Sequence, residues 1–458
     1  MNIKVIAIEE VDENEDLVIH RHMIDFGKTN VIQMKKQLYL LIGFKKERKS
    51  IEDIRFLGGE TIKAIQEYPC EEVTIDFQKL ITHCEGLSKE EIVAAFMEGL
   101  YLGGYQFLAY KKEENKQYPT FKLNTDQYDV HIKTAQIRAN AVYLARDLCN
   151  EPANKLTPAL YADRLKRIFH QSKVKVEIIE SEELKERGFE ATAMVGNGSG
   201  YPPKLAVLTL KNSDRKHIAL VGKGVTFDSG GVNVKTARDI GEMKMDMGGS
   251  AAVVGAMKLL ADLNSPVHVT AVLPLVTNVT GRDAFLPSDV IKYKNGTTVE
   301  VGNTDGEGRL ILAEGLLHVQ ELGATTIIDI ATLTGTIGQA LGLKAAGIFS
   351  NREEDLWSYK ELGDHTGDHV WPMPLIHDYE TYLESDCADL NNVGSSLFGG
   401  AITAAVFLNH FVEAERKWVH IDMANTVRPW KVQGYHVPGA SGYGVRLLAE
   451  LIHMEVEE

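Results

Sequence analysis

The sequence predicts an α/β protein with a smaller N-terminal α/β domain and a larger C-terminal α/β domain, whose mostly parallel central sheet is covered by helices. Three observations support this. The chain has 458 residues, which is long for a single hydrophobic core. Hydrophobic residues make up 44% and charged residues 25%, as in globular proteins. Strand-like and helix-like segments alternate strictly through the second half, which is typical of βαβ units.

The N-terminal part is predicted to be a mixed α/β domain that carries no obvious set of catalytic residues. Its predicted strands are 31–44 and 71–77, and its predicted helices are 50–68 and 88–107. We expect Gly58 and Gly59 to interrupt the first helix. Ser88, with Glu91 three residues later, predicts a capping box at the start of the second helix.

A lysine-rich polar stretch separates the two predicted domains. The predicted division is an N-terminal domain at 1–130, a connecting helix and linker at 131–165, and a C-terminal domain at 166–458. In the C-terminal domain the predicted strands are 216–227, 267–276, 324–334 and 417–424, and the predicted helices are 248–263, 309–322 and 400–415. In parallel sheets of this kind, functional residues gather at the carboxyl ends of the strands.

Charge and composition exclude several classes of function. The formal charge is -15, and an acidic surface repels phosphate backbones, which argues against nucleic-acid binding. No window approaches the roughly 18 apolar residues of a membrane-spanning helix, so we expect no membrane association. The four cysteines are scattered and form no CxxC pair, which favours reduced thiols and a cytoplasmic location.

Three glycine-rich clusters follow predicted strands and carry the candidate chemistry. They are VGKGVTFDSGGVNVK (221–235), EMKMDMGGSAAV (242–253) and VGNTDGEGRLILAEG (301–315). Together they hold the carboxylates Asp228, Asp246, Asp305 and Glu307. Packed side by side without cations, these groups would repel one another and raise one another's pKa. Two divalent cations would balance their four charges, so the set predicts a two-metal site.

The ligand chemistry narrows the choice of metal. These clusters contain no histidine, so oxygen atoms, with one lysine nitrogen as a candidate, suit manganese, magnesium or zinc. The spacing of Asp305 and Glu307 places both side chains on one face of an extended segment. The alternative to a metal site is a solvated acidic rim or a set of helix caps. We prefer that alternative for any one aspartate taken alone, but not for all four carboxylates together.

Three cationic side chains lie among these carboxylates. A neutral lysine amine can bind a metal ion, and a protonated lysine can polarise a substrate carbonyl. The spacing does not decide which of Lys223 and Lys235 would bind a metal ion and which would polarise the carbonyl. The alternative to both roles is that the two lysines form ion pairs with the acids. Arg309 cannot be a general base because guanidinium keeps its proton. Arg309 would hold an anion at the start of a helix or pair with one of the acids.

The clusters resemble the leucyl aminopeptidase family (cytosol aminopeptidase, M17). NTDGEGRL (303–310) differs from the family signature NTDAEGRL only at Gly306. The segments VGKGVTFDSGG, KMDMGGSAAV, ATLTG, SDCADLNN and GAITAAVFLNHFV are similar to family segments and occur in family order. RDLCNEPANKLTP (146–158) is similar to the segment that joins the two domains of the family. The resemblance covers about residues 140–450, and Asn425 departs from the family's usual glycine.

The resemblance implies a metal-dependent aminopeptidase that releases leucine and other apolar N-terminal residues from peptides with a free N-terminus. It implies two divalent ions per subunit, Mn2+ or Zn2+, and a homohexamer. The implied metal ligands are Lys223, Asp228, Asp246, Asp305 and Glu307, of which Asp228 and Glu307 bridge both ions.

The resemblance also implies catalytic and substrate-binding residues. Lys235 would face the scissile carbonyl, and Arg309 would hold a bicarbonate that acts as the general base. The implied substrate-binding residues are Lys235, Asp246, Thr332, Leu333 and Gly335. Three alternatives stay open from the sequence. They are another two-metal hydrolase such as a phosphoesterase, a DNA-binding regulator of the same family, and a catalytically inactive member.

Overall fold

The computed structural model describes residues 2–8, 25–34, 37–44, 50–84, 86–112, 119–123, 126–236 and 240–457. The chain divides into two compact units. The first comprises Met1–Tyr143 with Lys431–Pro438, and the second Leu144–Trp430 with Gly439–Glu458. The three-part division predicted at residues 130 and 165 stays a prediction, and part of the polar stretch on which it rests, 110–129, lies outside the described residues.

The first unit contains a mixed sheet and its helices. Its elements are β1 (Asn2–Ile8), β2 (Thr29–Met34), β3 (Gln37–Gly43), α1 (Ile51–Ile65), β4 (Glu72–Asp76), α2 (Gln78–His83), α3 (Lys89–Gly104) and β5 (Thr120–Leu123). Helix α4 (Asp129–Asn150) follows. Among the described residues the sheet has five strands in the order β2-β3-β1-β4-β5, and only the β2–β3 pair is antiparallel. The predicted capping box of Ser88 and Glu91 begins α3.

The predicted interruption of the first helix by its two glycines is wrong. Helix α1 runs without a break from Ile51 to Ile65. A Cβ atom on Gly58 would lie 2.0 Å from the carbonyl oxygen of Phe96, and one on Gly99 would lie 1.8 Å from the carbonyl oxygen of Arg55. The glycines therefore let α1 and α3 approach backbone to backbone, and this contact outweighs the low helix propensity of glycine.

The second unit has strands and helices at the predicted positions, but they do not alternate strictly, because strands follow one another directly over 204–228 and over 268–300. Its elements are α5 (Pro158–Phe169), β6 (Lys175–Ile179), α6 (Ser181–Leu184), α7 (Glu190–Gly196), β7 (Lys204–Lys211), β8 (His217–Gly222), β9 (Gly224–Asp228), α8 (Gly248–Asp262), β10 (His268–Asn278), β11 (Val290–Lys292), β12 (Thr298–Glu300), α9 (Glu307–Glu321), β13 (Thr326–Ala331), α10 (Gly335–Leu341), β14 (Ala346–Ser350), α11 (Leu356–Thr366), β15 (Val370–Pro372), β16 (Leu390–Asn391), α12 (Gly400–Asn409), β17 (Lys417–Asp422) and α13 (Val445–Glu457).

The main sheet of this unit is mostly parallel, which confirms the predicted fold class. Within the described residues it has nine strands in the order β15-β14-β17-β13-β8-β10-β7-β6, with β9 paired to β10. The strands β17, β13, β8 and β10 run parallel. The pairs β10–β7, β7–β6 and β14–β17 are antiparallel. The parallel strands end at one edge of the sheet, where the candidate site lies.

Helices cover this sheet and bury an apolar core. Helix α8 packs on β8 and β13, and α9 packs on β8, β10 and β13. Their small and aliphatic residues are buried, as periodicity over 248–263 and 309–322 predicts.

All four cysteines are free thiols. Among the described helices, none combines the length and apolar character that are needed to cross a bilayer.

Candidate metal centre and catalytic cleft

Lys223 lies at a break in the strand predicted over 216–227. The backbone forms two strands, β8 and β9, with Lys223 between them. The Lys223 amide donates to the carbonyl of Ile330 at 3.2 Å, and its own carbonyl accepts from the Ser250 amide at 2.9 Å. The side chain is buried, and its Nζ lies 3.0 Å from Asp246 Oδ1 and 3.0 Å from Glu307 Oε1. Two of the predicted carboxylates therefore meet at this lysine.

Lys235 brings together the other two carboxylates. Its Nζ lies 2.7 Å from Asp228 Oδ2 and 2.5 Å from Asp305 Oδ1. The loop from Asp228 to Lys235 turns sharply at Gly230 and Gly231, whose φ angles are 90° and 65°. A Cβ atom on Gly230 would lie 2.3 Å from the carbonyl oxygen of Asn233. This tight turn needs glycine and returns Lys235 to the carboxylate at which the loop began.

Asp305 and Glu307 do not lie on an extended segment, so that prediction is wrong. Residues Thr304–Gly306 form a 3-10 turn that leads directly into α9, which begins at Glu307. The Asn303 side chain accepts from the Asp305 amide at 2.8 Å and caps the turn. The helical turn still brings the two side chains together with Asp228, since one carboxylate oxygen of each residue lies within 4.8 Å of the others.

Burial makes Glu307, Asp246 and Asp305 harder to ionise. It raises the pKa of Glu307 to about 8, with the negative charge of Asp228 as the next cause. Burial also raises the pKa of Asp246 to about 6 and shifts the pKa of Asp305 upward. Burial opposes the charge on Lys223, yet the nearby acids, with Asp246 foremost, hold its pKa above the usual value. In the metal-free site, the ammonium groups of Lys223 and Lys235 partly balance the negative charge of the carboxylates.

The residues fit divalent ions. Asp246 Oδ2 and Glu307 Oε1 are buried and lie 2.9 and 3.0 Å from the Lys223 ammonium, with no hydrogen bond from any other described residue. Buried carboxylate charge is costly unless cations offset it, and in the metal-free site one lysine ammonium faces both oxygens. The Asp228–Asp305–Glu307 group has the oxygen chemistry and the spacing that divalent cations require.

Arg309 follows Glu307 on the first turn of α9 and is buried. Within the described part of the chain, it forms no ion pair with the four carboxylates, and no hydrogen bond reaches its Nε. Burial lowers its pKa to about 10, while the charges of Glu307 and Asp422 oppose that shift. The guanidinium is therefore charged at neutral pH and has a donor available for an anion.

The segment after β13 forms one wall of the site. Thr332 Oγ1 donates to Asp246 Oδ1 at 2.8 Å, and the Thr332 carbonyl accepts from Lys223 Nζ at 3.0 Å. The Leu333 amide donates to Asp422 Oδ1 at 3.2 Å, and Thr334 Oγ1 donates to Asp422 Oδ2 at 2.6 Å. These bonds fix the turn that carries Thr332, Leu333 and Gly335, three of the predicted substrate-binding residues.

A cleft of about 470 Å³ opens beside these groups. Its lining includes eight of the predicted site residues, namely Lys223, Asp228, Lys235, Asp246, Asp305, Thr332, Leu333 and Gly335. Glu307 reaches this group through its ion pair with Lys223. The lining also includes the apolar side chains of Met243, Met245, Ala424 and Val427. The cleft thus places an apolar surface directly beside the charged groups.

Comparison with known proteins decides the family. The cytosol aminopeptidase family, catalytic domain, matches residues 143–449, and the N-terminal domain of the same family matches residues 29–114. The chain belongs to the cytosol aminopeptidase family. A probable cytosol aminopeptidase of Persephonella marina is 35% identical to this chain, and the alignment covers 91% of this chain and 85% of the relative. A probable cytosol aminopeptidase of Alkaliphilus metalliredigens is 36% identical, and the alignment covers 96% of this chain and 88% of the relative.

Solved structures agree with this family assignment. The bottromycin maturation enzyme BotP has a TM-score of 0.90 and 28% sequence identity, and the match covers 100% of this chain and 99% of that one. A second structure, BotP in complex with Mn, has a TM-score of 0.89 at 28% identity and covers 99% of both chains. This member of the cytosol aminopeptidase family is therefore a metal-dependent aminopeptidase, that is, a peptidase hydrolase that acts on peptides.

Sequence analysis missed two polar residues that the structure places at this site. Asn278 and Asp422 are buried at the ends of β10 and β17, where Asn278 contacts the Asp228 carboxylate and Asp422 contacts Leu333 and Thr334. Both follow apolar strand segments, at the edge where the three clusters also end. That position was the signal that could have identified them.

Proposed function

We propose that this aminopeptidase is of the leucyl type and uses two divalent ions, Mn2+ or Zn2+, to release leucine and other apolar residues from peptide N-termini. The observation that carries the proposal is the meeting of four carboxylates and two lysines from separate segments at the edge of an apolar cleft. Four negative charges match two divalent cations.

The proposed ligands are the residues that meet in this cluster. Asp228 and Glu307 would bridge the ions, Asp246 and Lys223 would complete one site, and Asp305 would complete the other. The ions supply a water of lowered pKa and polarise the scissile carbonyl when they are bound. Lys223 would bind through its neutral amine. It starts as an ammonium 3.0 Å from Asp246 Oδ1 and must therefore give up its proton.

Two further cations would act on the substrate. Burial opposes the charge on Lys235, but the negative charges of Asp228 and Glu307 raise its pKa above the usual value. Lys235 therefore keeps its proton and can stabilise negative charge that develops on the scissile carbonyl oxygen. Arg309 would hold a bicarbonate as general base, which its buried and charged guanidinium favours. Thr332, Leu333 and Gly335 would position the peptide along the cleft wall.

The experiment that tests the proposal uses chelator-stripped protein. It would be assayed on a chromogenic L-leucyl amide and on the same amide with a blocked α-amine, with and without added Mn2+ or Zn2+. We expect metal-restored cleavage of the free-amine substrate alone. Folded protein that cleaves neither substrate with either metal would refute the leucyl-type proposal.

The apolar part of the cleft predicts the side-chain preference. Val427→Trp would fill part of the cleft that Met243 and Ala424 also line, so we expect kcat/KM for leucyl amide to fall roughly tenfold relative to alanyl amide. Steady-state rates on the two amides measure this ratio. An unchanged ratio, with metal binding retained, would place the leucine side chain elsewhere.

Metal uptake is predicted to release protons. Burial raises the pKa of Glu307 to about 8, so this carboxyl group holds a proton to higher pH than usual in the metal-free protein, but binding needs the carboxylate. Mn2+ affinity should therefore rise with pH through 8 and beyond, because Lys223 would also bind without its proton, by up to about tenfold per pH unit for each proton released. Calorimetry in buffers of different ionisation enthalpy counts these protons. An affinity independent of pH would contradict the shifted pKa.

A homohexamer and a cytoplasmic location are also proposed, on the resemblance to the family. Sedimentation of the purified protein tests the first and fractionation of cells tests the second. Membership of a peptidase family favours peptide amides over phosphate esters as substrates.

A further inference from the structure

Asn278 lies at the point where the metal-binding loops converge. It is the last residue of β10, pairs with Asp228 across the sheet and is completely buried. Its side-chain amide nitrogen lies 2.9 Å from Asp228 Oδ1 and 3.4 Å from Glu307 Oε2. These are the two carboxylates proposed to bridge the ions, and they come from the end of β9 and the start of α9.

The same amide also holds the backbone that carries Asp305. Asn278 Nδ2 donates to the carbonyl of Thr304 at 2.9 Å. Thr304 Oγ1 in turn donates to the carbonyl of Gly230 at 2.6 Å, which ties the 3-10 turn to the loop after β9. One NH2 group thus faces acceptors from both ligand-bearing segments.

The donor character of Asn278 matters because its neighbours are acceptors. A carboxylate that accepts a hydrogen bond on one oxygen is fixed in orientation and can direct its free electron pairs at a cation. The amide provides this without a positive charge that would compete with the ions. Leucine has a similar volume but no hydrogen to donate, so the two roles of Asn278, donation and filling space, can be separated.

We propose that Asn278 is a positioning residue for the metal centre, whose amide aligns Asp228 and Glu307 for cation binding. This inference rests on the ion site of the proposed function. It predicts that loss of the amide weakens cation binding directly, whatever happens to the rate of hydrolysis.

The test compares variants of the chelator-stripped protein with Mn2+ as the probe. Asn278→Leu keeps the volume and removes the donor, and Asn278→Ser keeps one donor. Thr277→Val is the matched control, because the Thr277 hydroxyl contacts Thr226 Oγ1 at 2.8 Å rather than a carboxylate, and Thr226 keeps its bond to the Val276 carbonyl. Circular dichroism and thermal unfolding of the metal-free proteins establish that each variant folds.

Free Mn2+, counted by its electron paramagnetic resonance signal, gives the dissociation constants. We expect Asn278→Leu to bind Mn2+ about 10- to 100-fold more weakly than the wild type, Asn278→Ser to lie between the two, and Thr277→Val to stay within about twofold. A folded Asn278→Leu within about twofold of the wild type would overturn the inference. If that variant does not fold, a wild-type dissociation constant for Asn278→Ser overturns it.

Failure of the proposed function gives a different result. Wild-type protein that binds Mn2+ but does not cleave leucyl amide refutes the leucyl-type proposal and leaves the Asn278 comparison valid. Wild-type protein that binds neither Mn2+ nor Zn2+ overturns both.

Discussion

Glu307→Gln is expected to lower aminopeptidase activity by about a thousandfold or more and to weaken Mn2+ binding strongly. Glu307 is completely buried, its Oε1 lies 3.0 Å from Lys223 Nζ, and it is grouped with Asp228 and Asp305. Glutamine keeps the shape but removes the charge that would hold both ions. The metal-free variant should fold at least as well as the wild type, because it buries one carboxyl group fewer.

The matched control for this variant is Glu314→Gln, two turns later on α9. Glu314 is also a buried glutamate, but it accepts hydrogen bonds from the Ala191 and Thr192 amides, at 2.5 and 2.9 Å, rather than facing the cleft. We expect Glu314→Gln to cost stability and to leave Mn2+ affinity unchanged. Equal loss of metal in both variants would show that the effect comes from disturbance of α9 rather than from a ligand.

Lys235→Met is expected to lower kcat/KM on leucyl amide about 100- to 1,000-fold while Mn2+ binding stays within a few-fold of the wild type. The side chain lines the cleft between Asp228 and Asp305 and keeps its proton. Methionine retains most of the volume and loses the charge that would stabilise the developing oxyanion. Steady-state kinetics and Mn2+ titration of the same samples separate the catalytic loss from any loss of metal.

Lys244→Met is the control for a nearby lysine. Its Nζ donates to the carbonyl of Asn150 at 2.8 Å and contacts none of the four carboxylates among the described residues. We expect rates within about threefold of the wild type for this variant. Loss of Mn2+ from Lys235→Met in proportion to its loss of activity would assign Lys235 to metal binding instead of catalysis.

The sequence predicted the sheet and the meeting of the site residues because both follow from local pattern. Apolar strands and amphipathic helices alternate between residues 216 and 424, and parallel strands bring their carboxyl ends to one edge. Lys223 follows β8, Asp228 ends β9 and Asp246 lies just before α8, so their proximity at that edge follows from the topology. The sequence could not predict that β7 pairs antiparallel with β10, or that β14 pairs antiparallel with β17. An apolar strand has the same periodicity in either direction.

The features that were missed depend on contacts between distant parts of the chain. Residues 431–438 return to the first unit, where the Tyr435 hydroxyl donates to Glu52 Oε1 at 2.7 Å, although they are remote from it in sequence. Gly58 looked like a helix breaker because the facing backbone of α3 was not visible in the sequence. Asn278 and Asp422 have no motif of their own, and their roles appear only once β10 and β17 lie beside the ligand-bearing loops.

A titration of chelator-stripped protein with Mn2+ tests the central claim most directly. Bound ions per chain and the rate of leucyl amide hydrolysis would be measured in the same samples, for the wild type and for Glu307→Gln. The proposed site predicts two ions per wild-type chain, full activity only when both are bound, and loss of both properties in the variant. Full activity with one ion per chain, or two ions bound without hydrolysis, would contradict it.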